Sequence, residues 1–169
     1  MNQDTTTDLL NYDDNGKAVM PSGLNVLTIL TFIGCAIFGL LTLATPVINK
    51  FLLGMMDKAV KSGQDISPKR LAEMEKGREA IELASQNMIP IMAINMAGII
   101  LCFVGALWMR KFKKDGFWMY TAGELAPLLG NFLIMGTVQY TSIWSVLLGV
   151  GIPVLFVILY SMQRKYLTK

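Results

Sequence analysis

At 169 residues, 53% of them hydrophobic and with a mean hydropathy of +0.49, the chain is too apolar for an ordinary soluble domain. Its net charge of +3 does not argue for a nucleic-acid partner, because the basic residues gather at the ends of long apolar runs, where anionic lipid headgroups attract them. The lack of histidine removes His-ligated haem, most zinc sites and every Ser-His or Cys-His pair, and the two cysteines, Cys35 and Cys102, lie inside apolar runs and read as packing residues rather than a disulfide.

Residues 1–20 are polar and acidic, with Asp4, Asp8, Asp13 and Asp14 set against Lys17. A secretory signal would start positive and carry a shorter apolar stretch, so this segment reads as a disordered tail before an uncleaved first span, with Leu9, Leu10 and Tyr12 its only docking candidates. The remainder, 21–169, reads as one membrane domain. Crossing a ~30 Å hydrocarbon core takes about 20 helical residues, and the runs 24–45, 88–109, 117–135 and 142–160 meet that need.

The first span opens at Pro21-Ser22-Gly23, with Ser22 as the expected cap. Thr28, Thr31, Cys35, Gly39 and Thr42 fall in one narrow sector of its helical wheel. Small and hydroxyl residues in such a stripe mark the side that faces other helices. Pro46 follows, yet apolar residues recur at helical spacing through Val60, interleaved with Asn49, Lys50, Asp57, Lys58 and Lys61. Ser62-Gly63-Gln64-Asp65 breaks that pattern, and Ser67-Pro68 starts another helix, rich in Ala, Glu, Lys and Arg, that runs to Asn87. Two arrangements fit 46–87: an extramembrane helical hairpin that projects from spans 1 and 2, or a first amphipathic helix turned flat at the interface by Pro46. The hairpin is the expected one, because the second helix is too polar to lie among headgroups and needs a partner for its apolar edge.

The second span carries Pro90 in its first turn and a stripe of Asn95, Gly98, Cys102 and Gly105. Met88, Met92 and Met96 form another stripe, read as adaptable packing rather than a metal site. The basic turn Arg110-Lys111-Phe112-Lys113-Lys114 leads to Asp115, the expected cap of the third span, which holds Gly116, Gly123 and Gly130 at heptad spacing, Glu124 and Pro127. The fourth contains Ser145, Gly149, Gly151 and Pro153, and the chain ends with Arg164, Lys165 and Lys169. The basic turn and tail, against an uncharged link at 136–141, place both termini in the cytoplasm by the positive-inside rule. Trp108, Trp118, Tyr120 and Tyr160 then read as one interfacial belt, and Tyr140 and Trp144 as the other.

Glu124 is the one charged residue well inside an apolar run, roughly 12–14 Å from the start of its helix. An ionised carboxylate at such a depth costs on the order of 3 kcal/mol, so it should face protein or water, or be protonated. Tyr120, Thr121 and Asn131 share its side of the wheel. Folding the spans about Phe112-Lys113 sets Glu124 level with Leu101-Cys102, and Asn95 level with Asn131. Across the next link, Glu124 and Pro127 fall level with about Gly151 to Val154. The candidate intramembrane polar site is therefore Glu124, Asn131, Asn95, Thr121 and Tyr120.

The stretches LTILTFIGC at 27–35 and ALWMRKFKKDGFWMYTAGE at 106–124 resemble small four-span integral membrane proteins of Gram-negative bacteria. The likeness implies a bacterial inner-membrane location and brings no activity, cofactor or functional residue with it. The expected fold is all-α: an antiparallel membrane four-helix bundle with spans 1 and 2 extended into the projecting hairpin. The chain carries no nucleophile–base pair, metal cluster or phosphate-cradling glycine loop, so no enzyme and no cofactor is expected. The favoured function is a scaffold, assembly or regulatory partner in the lipid bilayer, working with a membrane-protein partner or a second copy of itself. The alternative is a small transporter or channel subunit that uses Glu124 as a proton or cation site, which a single four-helix unit could serve only as an oligomer.

Overall fold

The computed structural model describes residues 12, 14, 16, 18–62, 67–140 and 143–168. The expected tail, with Leu9 and Leu10, lies almost wholly outside them; Tyr12, half exposed, bridges to Ala18. Apart from that bridge, the regular structure among the described residues is helical: α1 (Ser22–Lys61), α2 (Pro68–Gln86), α3 (Met88–Arg110), α4 (Asp115–Met135), α5 (Ile143–Val146), a π-helical segment (Leu147–Gly151) and α6 (Ile152–Gln163), closed by a single 3₁₀ turn, Arg164–Tyr166. Three stretches are long and apolar enough to cross a membrane: α1, α3 and Ile143–Tyr166. The protein thus has the helices of an integral membrane protein. α4, with Asp115 and Glu124 in its 21 residues, is not among the three.

α1 is one helix of 40 residues that runs straight through Pro46. A proline in mid-helix takes away the hydrogen bond to the carbonyl one turn back. Just before it, Thr42 and Thr45 turn their hydroxyls onto the carbonyls of Phe38 (2.8 Å) and Leu41 (3.0 Å) of the same helix. α2 and α3 are divided only by Asn87, whose amide donates to the Leu83 carbonyl at 3.1 Å. Together they run back along α1 in one antiparallel register. Phe32 meets Phe103 with ring centroids 5.1 Å apart, Cys35 donates to the Ile99 carbonyl, Asn49 donates to Ser85 at 3.3 Å, and Asp57 pairs with Arg78 at 2.8 Å.

The α3–α4 pair is the closest in the fold, and glycine is the reason. A Cβ on Gly105 would lie 2.6 Å from the Tyr120 backbone nitrogen, and one on Gly123 2.7 Å from that of Cys102; Gly98 and Gly116 are also held against backbone, while Gly130 faces the Ile94 side chain. Backbones approach this closely only where side chains are missing. The heptad spacing of Gly116, Gly123 and Gly130 therefore forms a real seam. The stripe on α1 is less uniform: Thr28, Thr31 and Thr42 are buried and Cys35 is half-buried, but Gly39 faces open space.

The turn between α3 and α4 is a Schellman motif. The N–H of Lys113 bonds to the Trp108 carbonyl (3.1 Å), that of Phe112 bonds to the Met109 carbonyl (2.9 Å), and Phe112 takes the left-handed position at φ 59°. The Phe112 carbonyl accepts the N–H of Thr168 at 3.0 Å, which docks the C-terminal segment on the turn. Leu24, Met109, Phe117, Tyr120, Tyr160 and Leu167 make the core beside it, where the start of α1 and the end of α6 meet at Gly23 and Gln163. Two expected caps are corrected here. Pro21 and Lys114 occupy the N-cap positions, so Ser22 and Asp115 fall in the first turns; Asp115 there complements the helix dipole rather than capping it.

Candidate functional site: a carboxyl in a cavity among four helices

Glu124 stands midway along α4 and is half-buried. One turn before it, the Tyr120 hydroxyl donates to its Oε1 at 2.6 Å. Tyr120 is buried, with its ring against that of Tyr160 at a centroid distance of 4.5 Å. The Tyr160 hydroxyl shares a 2.8 Å hydrogen bond with Thr31. Tyr120 thus holds one carboxyl oxygen, and is itself backed by Tyr160 on α6, which Thr31 on α1 bonds.

The other side is open. A cavity of about 320 Å³ lies among α1, α3, α4 and the last helix. α1 lends it Thr31, Gly34 and Cys35; α3 lends Asn95, Gly98 and Cys102; α4 lends Tyr120, Glu124, Pro127 and Asn131; the π-helical segment lends Gly149 and α6 lends Pro153. Apolar side chains such as Leu30, Phe38, Leu128 and Ile152 complete the wall.

Most donors in the wall are already committed. Cys35 and Cys102 point their thiols at the carbonyls of Ile99 and Tyr120, both at 3.7 Å. Thr42 bonds to its own helix. Asn131 Nδ2 donates to Asn95 Oδ1 at 2.9 Å, while Asn131 Oδ1 is buried without a hydrogen-bond partner. An orphaned acceptor of this kind is expensive and calls for an explanation.

The π-helical segment shapes the fourth wall. In an α-helix the Pro153 ring would collide with the Gly149 carbonyl, and it has no N–H to offer that carbonyl. Widening the turn at Leu147–Gly151 relieves the collision. On α4, Pro127 likewise leaves the Gly123 carbonyl without its usual donor, and this oxygen packs against Gly98.

Of the residues expected at the site, the cavity gathers Glu124, Tyr120, Asn95 and Asn131. Thr121 is not in its wall; its hydroxyl donates to the Phe117 carbonyl of its own helix at 2.9 Å. Thr31 and Cys35, which the sequence does not single out for the site, also line the cavity, and Tyr160 packs against Tyr120 outside its wall. Thr31 and Cys35 were visible as part of a small-residue stripe, but the stripe reads as packing. Tyr160 and Tyr120 read as interfacial anchors, whereas they are 0% and 1% exposed. Among the described residues, no group of three or more His, Cys, Asp or Glu side chains gathers as metal ligands do. No protein-family model, curated protein or solved structure matches the chain, so a functional reading of the cavity rests on its own geometry.

Proposed function

We propose that the chain is a four-span integral membrane protein in which Glu124 serves as a proton or cation site, as in a small transporter or channel subunit. The observation that carries this reading is the opening of about 320 Å³ beside the carboxyl. A scaffold, the role the sequence favours, needs no cavity. A dry, closed bundle around Glu124 would have favoured it.

α4 is taken as the fourth span. Its 21 residues reach about 31 Å, it lies along α3 through the glycine seam, and its outer face carries exposed Leu125, Leu129, Phe132 and Leu133, which lipid would cover. Arg110, Lys111, Lys113, Lys114, Arg164 and Lys165 all lie at the end where α1 begins and α6 ends, which supports cytoplasmic termini by the positive-inside rule. The likeness to small four-span proteins of Gram-negative bacteria supports the inner membrane. One such unit is thin for a pathway, so the working form is an oligomer.

The test is flux in proteoliposomes loaded with a pH-sensitive dye. Glu124→Gln keeps the acceptor for Tyr120 and removes the titratable charge. The expected result is loss of proton or cation flux with helicity and oligomeric size unchanged; equal flux from both proteins sinks the proposal.

A second reading has its own observation. Val47, Phe51 and Met55 repeat one turn apart on the distal half of α1 and are 71%, 66% and 53% exposed. If 46–87 projects from the membrane, this stripe needs a partner protein. Mild solubilisation with co-purification tests it; loss of a co-purifying protein on Phe51→Glu is the expected outcome, and a lone protein before any substitution argues against it.

A further inference from the structure

The chemistry of the cavity wall is one-sided. Among the described residues that line it, Glu124 is the one acid, and only its Oε1 carries the Tyr120 hydroxyl. The thiols of Cys35 and Cys102 turn to backbone carbonyls, the Tyr120 hydroxyl to Glu124 and the Thr42 hydroxyl to its own helix, while Thr31 shares a hydrogen bond with Tyr160. No described residue lining it is Lys or Arg. Much of the remaining wall is aliphatic or aromatic. Such a wall suits an occupant that donates hydrogen bonds or bears positive charge at one end and is apolar at the other.

The way in agrees with that chemistry. Leu30 and Phe38 on α1, and Leu148 and Ile152 on the last helix, line the cavity and are also 46%, 56%, 59% and 39% exposed on the outer surface. These exposed apolar residues stand on the α1 and π-helical sides of the cavity, which suits entry from the space that lipid tails fill. The volume, about 320 Å³, is at the small end for organic ligands and far more than a proton or a dehydrated metal ion needs.

From these features we infer that the cavity binds a small apolar amine in its ammonium form, which enters from the bilayer and pairs with Glu124. This rests on the proposed role of Glu124 as a cation site and names the class of cation. The ammonium meets the Glu124 carboxyl, while the hydrocarbon part sits against Leu128, Ile152 and Phe156. Tyr120 positions the carboxyl by holding its Oε1.

The experiment is calorimetric titration of the purified full chain in detergent with phenethylamine, its neutral analogue phenethyl alcohol and its anionic analogue phenylacetate. The amine should bind, and both analogues should bind more weakly or not at all. Glu124→Gln should weaken the amine by about ten- to hundredfold, the scale of a charge-assisted hydrogen bond. Leu128→Trp, which fills the cavity and leaves Glu124 in place, should abolish binding and decides the matter if the glutamine variant does not fold. Equal binding of amine and alcohol, or amine binding that survives both substitutions, overturns the inference. The flux assay separates the two proposals. Glu124-dependent proton flux without amine binding leaves a proton site and overturns the amine; absence of both removes both readings.

Discussion

The hydroxyls of Thr31 and Tyr160 meet at 2.8 Å, 129 residues apart in the chain, and join the first long helix to the last. Both groups are buried, so each would be unsatisfied without the other. Tyr160→Phe keeps the ring against Tyr120 and deletes the bond. It should cost about 0.6–1.5 kcal/mol of stability in mixed-micelle unfolding. With Thr31→Val already present, the same change should cost distinctly less. Equal costs in the two backgrounds would mean that the pair does not couple the helices.

The glycine seam predicts a sharp contrast between positions. Gly123→Ala puts a methyl 2.7 Å from the Cys102 backbone nitrogen, and backbone cannot step aside as a flexible side chain can. A loss of about 1–3 kcal/mol is expected, read as a lower melting temperature in detergent. Gly39→Ala meets nothing within 4 Å and should raise stability by up to about 1 kcal/mol through helix propensity.

Phe112 holds the left-handed position of the Schellman turn, where glycine is usual. Comparing Phe112→Gly with Phe112→Ala isolates the backbone, because both lose the ring. The glycine variant should be the more stable by about 1–2 kcal/mol in the same unfolding assay. Equal stabilities would place the turn in another conformation.

The constant register of α1 against α2 and α3 is open to cross-linking. With Cys35 and Cys102 replaced by serine, the pair Asn49→Cys and Ser85→Cys should oxidise readily, since the native side chains already touch at 3.3 Å. Pairing Asn49→Cys with Arg78→Cys should not, because Arg78 lies about two turns away, opposite Asp57. An impermeant oxidant added to intact cells reports at the same time on which side of the membrane this part of the chain lies.

By contrast, removing Arg78 should change little. It bonds Asp57 and Glu82 at 2.8 Å, but all three side chains are about half exposed. Water screens such pairs. Arg78→Ala should melt indistinguishably from the parent protein.

What could be read from the amino acids was mostly what is local or tied by a short turn. The helices follow from periodicity. Asn95 and Asn131 bond to each other because the few residues of the Arg110–Lys114 turn fix the register of the two helices it joins. The glycine spacing told which face of α4 would pack. The angular placement of α6 was not available in this way. Nothing local says that Tyr160 turns inward to Thr31 instead of outward to the interface, because that depends on how the first and last helices close the ring. The π-helical turn was foreshadowed only by Gly149, Gly151 and Pro153, a pattern that also fits a plain kink. Thr121 was misplaced because a helical wheel gives the direction of Cβ but not the choice of a threonine hydroxyl to bond its own helix.

The length of α1 has a mechanical consequence. Forty residues make a rod of about 60 Å, roughly twice the thickness of the hydrocarbon core. Thr31 and Cys35, on the cavity wall, belong to the same rod as Asp57, near its far tip. If the span is held in the bilayer, a tilt of about 10° moves a tip some 30 Å away by about 5 Å. A load on the tip is thus a lever on the cavity, carried through Pro46, which stands between the two.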